Sequence, residues 1–534
     1  MMNRFGLSAL VAAGMLVSGL SAGSASAADL GGNCCADLEE RIAELEATTA
    51  RKGNRKVSLT ISGWVAEQVM WWDDGFESNV YVVGLGTTLG SHFKMTGAAQ
   101  ISPGWSAGYV LHVEVDGADS LIQNAGPALA TGPGLYPTVF GGSPQRNYVQ
   151  ALQSFWFIKS DHLGKVSVGL QSQASDNTAI LVDGSGSLVP ANWVLFDVNN
   201  FSTRFSSTGA AGANLNFFGG CHGMGGAAGD CNGLTQNAVR YDSPTFAGFS
   251  VSASWGQDDF WDVAARYSGE HHGFKLAVAA AYNQVTDQNM GALSGLSTSL
   301  TVLETTVFST ARRNLETSYF QIGAYAEHVH SGLWVYGAYG KLDTDDDNFV
   351  PFFGGGGFNP LGNGFFEDKT ETTTWYVKAG LRRRWHPLGH TVLYGVYMDV
   401  QSDDNWTGGA DIDVGILDYI PNPALARVDA TSGSGSCEGN ITILPVIGPA
   451  VSAAGHCVIG QDTKLTMWGL GVVQEIDAAA MSIWLKYRRF SPEIEGNPVI
   501  ACGGDFNTNN GGNGLQGCGL DDFQQFSLGA LINF

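Results

Sequence analysis

From Val57 onward the chain repeats one device. Strand-length runs in which every second side chain is apolar are joined alternately by tight turns and by long polar segments. In VSLTISGWV, Val57, Leu59, Ile61 and Val65 share a face against Ser58, Thr60 and Ser62. HFKMTGAAQI sets Phe93, Met95, Ala99 and Ile101 against His92, Lys94, Thr96 and Gln100. WSAGYVLHVEV, KVSVGLQSQ, FSVSASWG, WDVAARY and FKLAVAAAYN do the same. The last residues, FQQFSLGALINF, file Phe526, Leu528, Ala530, Ile532 and Phe534 along one face, with Gln525, Ser527, Gly529, Leu531 and Asn533 between them. A period of two is the signature of a strand with unlike faces.

The connections alternate as well. Tight turns stand at SPGW (102–105), DHLG (161–164), SPTFAG (243–248), GEHHG (269–273), HSGL (330–333), HPLG (386–389) and IDAAA (476–480). Between them lie segments rich in Gly, Asp and Asn at about 73–91, 116–147, 174–234, 257–260, 285–315, 343–370, 401–462 and 491–522. Seven turns and eight loops require sixteen strands, and an even count brings both termini to the short-turn end. A soluble sandwich does not segregate short and long connections in this way. Strands of ~10 residues with a charge-poor polar face fit a closed barrel in lipid, where every backbone group must be paired and no edge is left. Trp64, Trp71, Trp72, Trp105, Trp156, Trp255, Trp261, Trp375 and Trp385 mostly fall near strand ends, the expected place of interfacial aromatic girdles.

The N-terminus reads as an export signal. Arg4 precedes the apolar run FGLSALVAAGMLVSGL, and Ala25-Ser26-Ala27 offers an A-x-A cleavage site, so residues 1–27 are expected to be removed. Asn33 before Cys34 and Cys35 argues against a lipoprotein site. Residues 28–56 form a separate segment in which Leu38, Ile42 and Leu45 make a short a/d-like helical seam. The mature remainder holds no apolar run near the ~18 residues of a spanning helix. Its composition matches the strand reading: 14% charged residues, 11% aromatics and 73 Gly in 534 residues. The net charge of −23 argues against nucleic acid, whose binding depends on Lys and Arg neutralising phosphates. Eight Cys in an exported chain suggest disulfides, and proximity pairs Cys221 with Cys231, Cys437 with Cys457 and Cys502 with Cys518.

In these runs the chain resembles the alphaproteobacterial-type outer-membrane porins. CCADLEERIAELEATTARKGNRKVSLTISGWV, SHFKMTGAAQISPGWSAGYVLHVE, FWFIKSDHLGKVSVGLQSQ and the terminal SLGALINF carry the resemblance. It implies an all-β fold, a 16-stranded antiparallel transmembrane β-barrel over residues 57–534 with a short periplasmic helix ahead of it. It further implies a homotrimer, a water-filled pore for small hydrophilic solutes, and a third long loop, here about 174–234, folded inward. The terminal Phe534 resembles the signal read by the outer-membrane assembly machinery. The acidic balance suggests cation preference, or divalent cations bridging the loops to lipopolysaccharide. No catalysis and no resident cofactor are implied.

Alternation names the side chains expected in the pore: His92, Lys94, His112, Glu114, Arg240, Arg266, Lys378, Arg382, Lys486 and Arg488. On the lipid face at mid-depth a Lys or Arg would cost ~2–4 kcal/mol, so the inward direction is favoured. Asp176, Asp183 and Asp197 lie in the loop expected to narrow the pore. Basic wall and acidic loop would then face each other and set a transverse field. The alternatives are a channel specific for one solute on the same fold, or a secreted β-rich binding protein. Three motifs mislead. GWSAG (104–108) matches a nucleophile elbow but has a turn before it and a strand after it. EHVH (327–330) offers two His without a third ligand, and GGGG (354–357) lacks the Lys-Ser/Thr of a phosphate loop.

Overall fold

The computed structural model describes residues 57–85, 89–116, 148–198, 201–204, 206, 209, 211–219, 221–222, 225–226, 235–256, 259–288, 315–346, 369–402, 410–413, 437–438, 456–459, 461–496 and 519–534. The expected leader, the helical segment before Val57, and Cys34, Cys35, Cys231, Cys502 and Cys518 lie outside them. The barrel strands in chain order are β1 (Thr60–Asp73), β2 (Ser78–Val83), β3 (Ser91–Ser102), β4 (Trp105–Asp116), β5 (Tyr148–Ser160), β6 (Gly164–Gln171), β7 (Gln236–Asp242), β8 (Phe249–Gly256) and β9 (Trp261–His271). They continue as β10 (Phe274–Gln288), β11 (Leu315–His328), β12 (Leu333–Asp346), β13 (Lys369–His386), β14 (Gly389–Ser402), β15 (Gln461–Ile476), β16 (Met481–Gly496) and β17 (Phe523–Asn533).

Apart from β2 and β3, which do not pair with each other, each strand pairs antiparallel with its chain neighbours, and β1 closes the ring on β17, with Trp64 opposite Asn533 and Asp73 opposite Gln524. Gly63 and Phe534 complete the seam by exchanging both backbone bonds, at 3.0 and 3.1 Å. Seventeen strands make sixteen staves because β2 and β3 are one stave in two pieces. The upper half of β1 pairs with β2, Gln68 opposite Val83, and the lower half pairs with β3, Trp64 opposite His92. Of the residues between them, Gly84, Leu85, Leu89 and Gly90 lie off the ladder and inside. The segment expected as a loop at about 73–91 is therefore mostly barrel wall plus an inward insert.

The faces are those of a protein whose solvent outside is lipid. Val65 (50% exposed), Val251 (53%) and Leu528 (51%) point out, while Gln525 (0%) and Lys378 (1%) point in. Outward aromatics meet across the ladder as Trp71–Phe526–Tyr487, Trp468–Tyr397, Trp375–Tyr339, Phe320–Tyr282 and Trp261–Trp255. This row circles the long-loop end of the described wall, the position of an aromatic girdle. Trp64 and Trp72 depart from expectation. They are 5% and 1% exposed and point inward, Trp64 resting on His92 with centroids 4.0 Å apart. Glu67 stands outward opposite Ala530, four residues below Trp71 and four positions above Phe534 on the paired strand.

The candidate pore constriction

The segment of residues 172–198, after β6, turns into the barrel and follows its inner wall. Its entry is fixed by the wall of β7 to β9. The Arg240 guanidinium donates to the Ser172 and Gln173 carbonyls at 2.9 and 3.0 Å and pairs with Asp242 at 2.8 Å. Arg266 donates to the Ala174 carbonyl and the Thr178 hydroxyl at 2.6 and 2.9 Å. The Ala174 amide donates to Ser254 Oγ at 2.9 Å, and the Ser175 amide to Asp262 at 2.6 Å. Further round, Gln321 accepts from the Ala179 amide at 2.9 Å, and the Tyr336 hydroxyl donates to the Ala179 carbonyl at 2.8 Å. A Cβ on Gly323 would sit 2.2 Å from that carbonyl oxygen, so the absent side chain admits the loop to the wall.

Two buried charge clusters then hold the loop. Lys378 pairs with Asp183 and donates to Ser187 Oγ at 3.0 Å. Asp197 receives Lys486 and Arg488 together, with Gln525 Nε2 at 2.7 Å and Gln68 Nε2 at 3.1 Å. Burial would raise the Asp197 carboxyl. The Arg488 guanidinium and the Lys486 ammonium outweigh it and hold the group well below the usual carboxylate range. Asp176 is buried too, at 5% exposure. Past the loop, Arg204 Nε meets Asp74 at 2.7 Å, tying this segment to the β1–β2 turn.

The insert between β2 and β3 lies against the β1–β4 wall. Gln68 Nε2 donates to the Gly84 carbonyl at 3.3 Å, and Trp64 Nε1 to the Leu89 carbonyl at 3.2 Å. The Gly90 amide donates to Glu114 at 2.9 Å, and its carbonyl accepts from His92 Nδ1 at 3.1 Å. His92 and His112 pack ring on ring at 4.2 Å. Leu85 and Leu89 of the insert meet Val189, Pro190, Phe196 and Asp197 around an open volume of ≈ 230 Å³. A second volume of ≈ 380 Å³ lies toward the short-turn end and shares Val189 and Pro190 with the first.

The ten wall residues named from alternation all point inward, but they do not form one basic row. His92, Lys94, His112 and Glu114 gather at the insert. Arg240 and Arg266 anchor the loop's entry, and Lys378, Lys486 and Arg488 its far half. Arg382 instead makes a two-pronged contact with Glu475 at 2.9 Å. Asp183 and Asp197 touch the basic residues they were expected to oppose, so no open gap separates these charges and the transverse field is not set up by them. The reason is geometric: the loop lies against the wall, each carboxylate reaches its cation directly, and a buried carboxylate left unpaired there would be costly. Gln321, Tyr336, Tyr376 and Asp262 also hold the loop, and Glu475 holds Arg382. Their inward direction follows from alternation, but their partners are distant in sequence. The backbone register sets Cys437 opposite Cys457, and Cys221 lies in a separate two-residue strand. Among the described residues no group of three or more His, Cys, Asp or Glu is placed to hold a metal ion.

A family model described as Gram-negative porin matches residues 7–416. No curated protein matches the sequence. Among solved structures, the anion-selective porin from Comamonas acidovorans is 12% identical with a TM-score of 0.43, the match covering 90% of this chain and 100% of that one. A loop L8 deletion mutant of OmpT from Vibrio cholerae is 10% identical with a TM-score of 0.42, covering 90% and 100%. OmpF of Salmonella typhi in complex with daunomycin is 12% identical with a TM-score of 0.41, covering 90% and 98%.

Proposed function

This chain belongs to the Gram-negative porin family, and from that premise we propose how its barrel works as a channel. It is a multi-pass protein of the outer membrane, and it provides a path for passive diffusion of small hydrophilic solutes. The observation that supports this most directly is the inversion of faces. A polar inner wall and an apolar outer wall stabilise a barrel with lipid outside and water within. Both ends of such a channel would be wet, and its width would be set by the inward loop and the β2–β3 insert. Single-channel recording in planar bilayers tests the reading. Stepwise, voltage-driven currents are expected, and a refolded barrel that never conducts would refute it.

We further propose that the barrel works as a homotrimer. What supports this is Glu67, a carboxylate turned outward midway between Trp71 and the Phe534 row, where a neighbouring protein surface suits it better than hydrocarbon. Phe534 is proposed as the feature met by the assembly machinery. The acidic loops are proposed to favour cations at the mouth and to meet lipopolysaccharide through divalent ions. A reversal potential measured in a salt gradient tests the charge preference, and clear anion preference would defeat it. A solute-specific channel is the second reading, favoured by the fastening of the loop at so many points.

A further inference from the structure

We propose that the waist of this channel is apolar, passing small uncharged solutes with a hydrocarbon face and impeding inorganic ions. The inference rests on the channel reading above and sharpens which solutes that channel selects. Its basis is the orientation of the inward loop. Between Thr178 and Val198 every polar side chain is buried, including Asp183, Ser185, Ser187, Asn192 and Asp197. The residues of that stretch that stay part-exposed are Leu181, Val182, Leu188, Val189 and Phe196, with Gly184 and Gly186 between them. A loop with water as its preferred neighbour shows the reverse pattern. Here Asp183, Ser187 and Asp197 are bound at the wall, and apolar side chains make up what the stretch leaves part-exposed.

The other side of the passage agrees. The β2–β3 insert binds the wall through the backbone of Gly84, Leu89 and Gly90 and brings Leu85 and Leu89 to Val189 and Phe196. The two open volumes share Val189 and Pro190 in their linings, and the first is also lined by Asn192, Asp197, Lys486 and Arg488. The nearest charges, Lys486 and Arg488, are 3% exposed each and already engaged by Asp197. Among the described residues these charges are already paired with one another, and hydrophobic constrictions impede ions by dewetting. A solute carrying a phenyl or alkyl group loses less, because its own apolar surface leaves water there.

The test uses the full mature protein in planar bilayers and in proteoliposomes. It compares potassium chloride conductance with the swelling rates produced by phenyl glucoside and by glucose. The wild type is expected to show low conductance and faster entry of phenyl glucoside than its size alone allows. Leu89→Asp and Val189→Asp are expected to raise conductance severalfold and abolish that advantage. Val189→Asn, which adds no charge, keeps the test available if the aspartates fail to fold. Passage ordered by size alone, unchanged in all three variants, would overturn the apolar waist while leaving the channel intact. No passage of any solute or ion would overturn the channel reading itself.

Discussion

Lys378 on β13 and Asp183 on the inward loop meet as an ion pair inside the barrel, each side chain 1% exposed and 195 residues apart in sequence. The pair fastens the middle of the loop to the wall. Lys378→Met should cost about 3–5 kcal/mol, because it leaves a buried carboxylate without its cation. The double variant Lys378→Met/Asp183→Leu should recover most of that loss. The melting temperature of the folded band in detergent reads both, and a single variant as stable as wild type would contradict the pairing.

Asp197 predicts how the barrel responds to acid. Arg488 and Lys486 depress its carboxyl in the folded state. A depressed carboxylate contributes stability that is complete above its unfolded value of about 3.9 and is lost as pH falls through the folded value. Stability should therefore be flat across neutral and mildly acidic pH in this respect and decline only below about pH 4. Asp197→Asn should remove that acid-dependent part. Unfolding midpoints across a pH series, wild type against variant, provide the check.

Gly323 gives way to the Ala179 carbonyl, and a methyl group there would stand 2.2 Å from the oxygen. Gly323→Ala should lower stability by about 1–3 kcal/mol, the usual range for overpacking a filled site. It should also shift the loop enough to alter single-channel conductance. An unchanged conductance together with unchanged stability would show that the loop does not lie against β11.

Phe534 closes the seam through its backbone, while its side chain is 59% exposed on the outer face. Phe534→Ala keeps both backbone bonds to Gly63. The variant is expected to reach the outer membrane in lower yield yet conduct normally once inserted. Normal yield, measured by fractionation, would remove the proposed role in assembly.

If a second copy covers the outer face at β1, then Glu67→Cys should give a cross-linked dimer band with a short bifunctional thiol reagent. Val335→Cys, outward on β12 away from the seam, serves as the control and should not. Equal cross-linking at both sites would count against an interface at Glu67.

Much of this architecture is legible in the sequence alone. The side chains of Lys486 and Arg488, or of Gln525 and Ser527, could be assigned to the inner wall from strand periodicity, because a strand turns each residue by half a revolution regardless of what surrounds it. Turn and loop lengths gave the stave count for the same local reason. Trp64 and Trp72 mark the limit: position near a strand end suggested the girdle, yet alternation with Ser62 and Gln68 places both inside. The break between Val83 and Ser91 is not legible in the sequence either, since a stave interrupted by an insert keeps its period on either side and shows only a gap between.

The course of the inward loop belongs to tertiary structure. Residues 172–198 have no repeating geometry, so no periodicity states which side chains face the wall. Asp197 finds Gln68, Lys486, Arg488 and Gln525 at sequence distances from 129 to 328 residues. Those partners become neighbours once the ring closes between Trp64 and Asn533. Local sequence therefore settled the barrel, its faces and its polarity. Closure of the barrel settled the waist, because contact with a charged wall draws the loop's polar groups inward to it and leaves Leu188, Val189 and Phe196 toward the passage.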